Sequence, residues 1–132
     1  MFKIQIIKYQ NNIFYPVQDI LQLPYYELIK VEAMVKIYIN DTLFFTDDYF
    51  PILEFVYQFE QWQNNQTPTV FKYNSIESIE NPILSFQVQS ENCICDSIWK
   101  LTPTPLTVKT SEVINEINTC KKILLTIINT KD

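Results

Sequence analysis

The chain has 132 residues, 47% of them hydrophobic, and a formal net charge of −5; these values fit one domain over residues 1–132 and are typical of a globular rather than a disordered chain. It contains no glycine, histidine or arginine, which excludes glycine-rich phosphate loops, the commonest general base and bidentate anion recognition. The lack of arginine and a pI of about 4.7 also argue against a nucleic-acid partner.

The first strand is predicted at residues 2–9, where Phe2, Ile4 and Ile6 alternate with polar residues. This alternating start is typical of a strand and not of a signal peptide. No apolar run approaches the ~20 residues that cross a bilayer. We therefore predict a cytoplasmic protein without a membrane partner. Asn11-Asn12, Pro16 and Pro24 then punctuate a loop or a short helical turn.

A β-hairpin is predicted next. Residues 28–39, "LIKVEAMVKIYI", follow a period of two, which indicates a strand with one buried face. Asn40 and Asp41 both tolerate positive φ, so they supply the turn, and "LFF" returns as the partner strand.

An amphipathic helix is predicted over residues 49–63, because Ile52, Phe55 and Phe59 recur at helical spacing. Glu54, Gln58 and Gln61 are predicted on its solvent face. Two interpretations of the preceding Asp47 and Asp48 compete: a catalytic or metal-binding pair, or capping residues at the positive end of the helix dipole. Capping is favoured, because neither a base nor another metal ligand stands nearby.

The second half of the chain contains three predicted strands and one helix. After a turn at "NNQTP", the strands are "TVFKYNSIES", "ILSFQVQ" and "CICDSIWKL", which form a three-stranded meander. "TPTP" at residues 102–105 is a connector. A helix over about residues 110–129 places Val113, Ile117, Cys120 and Leu124 on one stripe.

Cys93, Cys95 and Cys120 are predicted to be buried free thiols. No histidine and no second cysteine pair complete a zinc set. We predict no metal and no cofactor.

These elements predict an α+β fold, a two-layer sandwich in which two helices pack on one face of a mainly antiparallel sheet. Single-sided strand patterns require a cover on one face only, and the two amphipathic helices supply it.

Asp96 is the polar residue that breaks its strand pattern, since it shares a face with Ile94 and Ile98. On a central strand this carboxylate would need hydrogen-bond partners and would mark a site. On an edge strand it would act only as a charge that prevents aggregation. The edge interpretation is favoured.

Acidic residues near the predicted turns form a candidate binding surface. Glu77, Glu80 and Glu91 could gather at one end of the sheet, or they could be ordinary solvated loop carboxylates. An acidic surface attracts basic partners, although many cytoplasmic proteins are mildly acidic without such a role.

The runs "VEAMVKIYINDTLFFTDDYFPILEF", "FKYNSIES", "NPILSF" and "DSIWK" resemble a family of small uncharacterised bacterial proteins with a VEAxxxIxI, FPxLEF and DSIW pattern. The resemblance covers roughly residues 30–100. It implies an immunity protein, which neutralises a toxin made by the same or a neighbouring cell. The positions that it marks are Asp47, Asp48, Pro51, Glu54, Asp96, Ser97 and Trp99.

Two functions from different classes follow. The first is a non-enzymatic acidic immunity protein that binds a basic toxin domain directly; the second is a structural or regulatory interaction module without a toxin. Either would act as a monomer or homodimer through a protein partner. The candidate partner-binding residues are Asp47, Asp48, Glu54, Glu77, Glu80, Glu91, Asp96 and Trp99.

Overall fold

The computed structural model describes residues 1–11, 13–65 and 69–130. The first part of the chain forms a three-stranded antiparallel sheet from β1 (Phe2–Asn11), β2 (Val31–Ile39) and β3 (Thr42–Phe50), in the order β1-β2-β3. The predicted strand at residues 2–9 and the predicted hairpin are confirmed. The second strand starts at Val31 instead of Leu28 because residues 25–28 form a short helix, α1 (Tyr25–Leu28).

The second part of the chain forms a four-stranded antiparallel sheet. It contains β4 (Val70–Tyr73), β5 (Leu84–Gln89), β6 (Asn92–Ser97) and β7 (Leu106–Lys109), in that order. The predicted meander therefore has a fourth strand. Its four residues follow the "TPTP" connector directly and are too few to show a period of two. The predicted strand "CICDSIWKL" ends early, at Ser97.

Two long helices complete the fold, α2 (Ile52–Asn65) and α3 (Thr110–Ile128). The predicted stripe on α3 is confirmed, since Val113, Ile117, Cys120 and Leu124 are all buried. Helix α2 packs against β2 and β4, whereas α3 packs against β1, β6 and β7. Lys121 of α3 forms an ion pair with Glu60 of α2, which joins the two helices.

The α+β class is confirmed, and the strands divide into two sheets that share one hydrophobic core. Aromatic contacts bridge the sheets. The rings of Phe2 and Phe86 lie 5.8 Å apart, and those of Phe50 and Tyr73 lie 5.5 Å apart. Helix α2 adds Phe55, whose ring contacts Phe50, Tyr73 and Phe86. Burial of these rings contributes to the attraction between the two sheets.

The hairpin turn between β2 and β3 has the predicted chemistry. Asn40 and Asp41 have φ values of 50° and 66°. Two successive positive φ values are typical of the two-residue turns that match the twist of an antiparallel hairpin. The Asn40 side chain also accepts a hydrogen bond from the Met1 amino group and donates one to the Thr107 carbonyl oxygen of β7. The turn thus connects the two sheets.

Asp47 and Asp48 do not cap a helix, so that interpretation is wrong. Both residues lie within β3, and α2 begins only at Ile52. The strand continues to Phe50 because the Phe50 ring is buried in the core. The Pro51 carbonyl accepts the first helical hydrogen bond, from the Phe55 amide.

The predicted boundary at Asn12 and part of the turn predicted at "NNQTP" lie outside the described residues.

Candidate functional site

Two loops meet at one end of the four-stranded sheet. The β4–β5 loop is held by the Asn81 side chain, which accepts a hydrogen bond from the Ser75 amide and donates to the Ser75 and Ser78 carbonyl oxygens. Asn81 suits this role because a side-chain amide can donate and accept at once. The loop is therefore held in one shape by its own polar groups.

The β6–β7 loop is attached to it through Ser97 and Trp99. The Ser97 hydroxyl donates to the Ile83 carbonyl oxygen at 2.7 Å and accepts from the Trp99 amide at 3.0 Å. The Trp99 indole Nε1 then donates to Glu80 Oε2 at 3.3 Å. Two of the predicted binding residues, Glu80 and Trp99, thus lie in contact.

The joined loops expose several large apolar side chains. Ile79 is 102% exposed, and the side chains of Ile76, Ile98 and Leu101 are also largely in solvent. We call the exposed side chains on these two loops the loop surface: Ile76, Glu77, Ile79, Glu80, Ile98, Trp99 and Leu101. It combines bare aliphatic groups, an indole and two carboxylates.

Glu54 lies beneath the loop surface and is 0% exposed, so its predicted position on the solvent face of the helix is wrong. Its carboxylate accepts hydrogen bonds from the Tyr73 hydroxyl at 2.7 Å, the Tyr25 hydroxyl at 3.1 Å and the Ile76 amide at 3.3 Å. These donors come from β4, α1 and the β4–β5 loop. Glu54 therefore holds three segments together beneath the loop surface.

The Glu54 charge acts on the two tyrosines that contact it. Burial, followed by the Glu54 charge, raises the pKa of Tyr73 well above its ordinary value. Burial also raises the pKa of Tyr25. Both phenols therefore stay protonated and act as donors. No cation contacts the Glu54 carboxylate among the described residues, so hydrogen bonds alone stabilise the buried charge.

Glu77 lies in the same negative field. Burial raises its pKa, and the charges of Glu32 and Glu54 raise it further. Three carboxylates therefore lie close together at the β4–β5 loop: Glu77 of the loop itself, Glu32 of β2 and Glu54 of α2. A cation brought to this loop would be favoured.

Asp96 does not lie on an edge strand, so the favoured interpretation of this residue is wrong. Strand β6 lies between β5 and β7. The short β7 pairs only with residues 92–95 of β6, which leaves Asp96 beyond its end. There the carboxylate forms an ion pair with Lys100 at 3.1 Å and accepts from the Ser97 amide at 2.8 Å. Its polar neighbours explain why it is tolerated.

Three other predicted residues lie away from the loop surface. Asp47 accepts a hydrogen bond from the Tyr49 amide within β3, and burial raises its pKa. Asp48 lines a small depression on the outer face of the three-stranded sheet with Lys8 and Met34. Glu91 lies in the β5–β6 turn, at the opposite end of the strands from Glu77 and Glu80. The alternative in which all three glutamates gather at one end of the sheet is therefore wrong.

Sequence reasoning missed Tyr73 and the exposed isoleucines of this site. Tyr73 follows a strand pattern that buries its ring, and a buried phenol needs an acceptor. That requirement was the available signal for a partner such as Glu54. The exposure of Ile79 had no such signal, because an isolated isoleucine between polar residues fits a buried position equally well.

The thiols are buried as predicted. Cys93, Cys95 and Cys120 are free and lie in the interior. Burial raises the pKa of Cys120 to about 12. The described part of the chain contains no group of three or more cysteine, aspartate and glutamate side chains that could hold a metal ion.

Within residues 1–11, 13–65 and 69–130, no helix has the length and apolarity needed to cross a membrane.

Comparisons with known proteins assign the chain to a family without assigning it an activity. No curated protein and no solved structure matches it significantly. One family model, described as a domain of unknown function (DUF7878), matches residues 2–129. The match includes both sheets and all three helices. The chain therefore belongs to the uncharacterised domain family DUF7878.

Proposed function

We propose that this chain is a non-enzymatic protein of immunity type, which binds a basic toxin domain through the loop surface and blocks it by direct contact. The observation that carries the proposal is the pairing of bare aliphatic side chains with carboxylates on two loops that are tied together. The loop surface contains Ile79, 102% exposed, directly beside Glu80, which accepts a hydrogen bond from Trp99.

The apolar side chains supply the centre of an interface. Ile76, Ile79, Ile98 and Leu101 stay in water at a cost that a partner would remove. Trp99 presents a large, partly exposed ring beside them. Tryptophan is strongly enriched among the residues that dominate binding energy. Such a group favours protein binding over catalysis.

The carboxylates determine the kind of partner. Glu77 and Glu80 carry the negative charge of the loop surface, within a chain whose net charge is −5. Complementary charge accelerates association with a basic protein and disfavours acidic ones. A toxin domain with a basic active site fits this requirement.

The hydrogen bonds beneath the loops lower the cost of binding. Asn81 holds the β4–β5 loop, and Glu54 holds the Ile76 amide. A surface that is already ordered loses less conformational entropy when a partner docks. The loop surface is therefore suited to rapid and tight binding.

Co-expression tests the proposal. Where a toxin-like gene lies immediately upstream, the wild-type chain would be expressed with its product, and cell survival would be measured. The test variant carries Glu77→Lys and Glu80→Lys. The matched control is Glu91→Lys, which makes one of the same charge changes at the other end of the β5–β6 hairpin. We expect survival with wild type and the control, and loss of protection with the double variant.

A second variant separates charge from local structure, because the lysine introduced by Glu80→Lys cannot accept the Trp99 hydrogen bond. Ile79→Ser leaves every charge in place and removes apolar area, and it should also reduce protection. Thermal unfolding of each variant confirms that it is folded. Wild type that fails to protect against that toxin would disprove the immunity function; equal protection by all variants would show that the loop surface is not the binding site.

A further inference from the structure

The outer edge of β4 is an open strand edge beside a groove. Strand β4 lies at one end of the four-stranded sheet and pairs only with β5 among the described residues. A groove of about 720 Å³ runs along this edge. Its walls are β4 and α2, and it is lined by Tyr25, Gln58, Gln61, Trp62, Asn65, Val70, Phe71, Lys72 and Asn74.

Alternate residues of β4 direct their backbone amides and carbonyls to opposite sides of the strand. The hydrogen bonds of two residues therefore show which backbone groups face the groove. The Thr69 carbonyl oxygen accepts from the Val88 amide, so residue 69 and its alternate neighbours face β5. The backbone groups of Asn74 point to the other side, and both its amide and its carbonyl bond to the Gln58 side chain of α2. Val70 and Lys72 alternate in step with Asn74, so their backbone groups point to the same side. Their backbone amides and carbonyls therefore face the groove.

The Gln58 side chain makes the hydrogen bonds that a neighbouring strand would make at Asn74. Its side-chain oxygen accepts from the Asn74 amide at 3.2 Å, and its nitrogen donates to the Asn74 carbonyl oxygen at 2.7 Å. This is the pair of bonds that a residue of an added antiparallel strand would make. The edge thus has a side-chain substitute at Asn74, and within the described residues no hydrogen bond occupies its outward backbone groups at Val70 and Lys72.

The charge at the groove comes from Lys72. The Trp62 ring lines the groove, but its indole nitrogen is buried and out of reach of a bound partner. Lys72 is exposed and, within the described residues, forms no ion pair. Among those residues no carboxylate lines the groove, in contrast to the acidic chain as a whole.

We propose that the β4 edge binds an extended acidic peptide segment of another protein, which adds a strand to the four-stranded sheet. Its backbone pairs with Val70 and Lys72, and a carboxylate side chain lies against the Lys72 ammonium group. Strand addition takes affinity from backbone bonds and specificity from side-chain contacts. This site is separate from the loop surface and does not depend on the toxin proposal.

A phage-displayed library of random decapeptides, selected on the immobilised full chain, identifies the probe. We expect enrichment of peptides with alternating side chains and at least one Asp or Glu. Failure to enrich any peptide, or enrichment of basic sequences only, would overturn the proposal.

Synthetic copies of an enriched peptide then test the geometry. Lys72→Pro removes one outward amide as well as the ammonium group, without breaking a bond to β5, which an edge strand tolerates. Compared with Lys72→Ala, it should weaken binding by a further roughly fivefold to tenfold, as expected for one hydrogen bond. Lys72→Ala keeps the amide and should abolish only the salt-dependent part of the affinity. Lys109→Ala on β7, the opposite edge of the same sheet, is the matched control and should bind normally.

Peptides methylated at single backbone nitrogens keep the test valid if Lys72→Pro does not fold. On the wild-type protein, methylation should weaken binding at alternate positions only, since every second amide of the peptide points towards β4. Uniform effects along the peptide would overturn strand addition. Dimerisation of the chain that Lys72→Pro abolishes would instead assign the edge to a second copy.

Discussion

The Glu54 carboxylate shows how one residue connects local sequence to distant structure. It lies on the first turns of α2, which bury every residue from Ile52 to Val56. Its hydrogen bonds to two tyrosines and the Ile76 amide replace the water that a surface glutamate would have. A buried charge satisfied in this way is costly to disturb, because removing it leaves its donors without an acceptor.

Glu54→Ala should therefore lower the free energy of unfolding by about 3 kcal/mol, and Glu54→Gln by about 1–2 kcal/mol, since the amide retains one acceptor oxygen. Gln61→Ala, an exposed position on the same helix, should change it by less than about 0.5 kcal/mol. Urea unfolding followed by circular dichroism measures all three. A loss below about 1 kcal/mol for Glu54→Ala would show that the network contributes little to stability.

Asp47 should make stability depend on pH. Burial raises the pKa of the Asp47 carboxyl above the ordinary value of 3.8. At pH values between 3.8 and the raised pKa, the folded state therefore binds the proton more tightly than the unfolded state. The stability contributed by this group is present below pH 3.8 and is lost as the pH rises through the raised pKa.

Asp47→Asn keeps the acceptor for the Tyr49 amide and removes the titrating group. We expect this variant to melt above wild type at neutral pH and to match it at pH values below the ordinary pKa of 3.8. Asp41→Asn, on the exposed hairpin turn, controls for the removal of one carboxylate charge. Melting temperatures measured across the acid range would contradict the expectation if the Asp47→Asn difference stayed constant.

At the scale of single elements, helix starts are determined by the structure that precedes them. The strand β3 runs on to Phe50 because the core takes up that ring, and a register shift opposite Ala33 and Val35 accommodates the extra length. Asp48 therefore lies on an extended segment. A side-chain cap is found instead at Asp19, which accepts from the Leu21 amide within a capping box before a 3₁₀ helix at Ile20–Gln22.

Asp19→Ala should lower the free energy of unfolding by about 1 kcal/mol, as expected for the loss of a cap. Asp48→Ala should change it by less than about 0.5 kcal/mol, since no capping bond is lost. Chemical denaturation of both variants against wild type provides the comparison. A larger loss for Asp48→Ala than for Asp19→Ala would place the cap at Asp48 after all.

At the scale of the whole molecule, the two sheets depend on a common interior. Phe2 of β1 contacts Phe86 of β5, and Phe50 of β3 contacts Tyr73 of β4. Two further links are polar: Asn40 donates to the Thr107 carbonyl, and the Leu101 amide donates to the Phe44 carbonyl at 2.8 Å. Neither sheet keeps its buried face covered without the other.

The central strands β2 and β5 should therefore unfold together. Native-state hydrogen exchange should give the most protected amides of both strands the same free energy of opening. Phe86→Ala should lower that value in both sheets by about 3–5 kcal/mol, because it leaves a cavity at their junction. Loss of protection in one sheet alone would reveal two independent units.

Much of the fold could be predicted because local patterns report which face of an element is buried. The alternation in β2, the Asn40-Asp41 turn and the stripe on α3 all depend on neighbours within a few residues. The candidate site was predicted only in part. Glu80 and Trp99 were identified as separate residues, but the contact between them depends on two loops that are distant along the chain.

The sequence by itself determined the α+β class, the hairpin and the acidic, arginine-free surface, since propensity, periodicity and charge belong to the residues themselves. Only the tertiary structure decided that Glu54 is buried, that β6 is flanked on both sides and that the strands divide into two sheets. The physical reason is that a periodic pattern specifies one covered face, whereas the segments that cover the remaining surface come from distant parts of the chain. Tyr25 and Tyr73 cover Glu54 from 29 and 19 residues away, a distance that no local pattern spans.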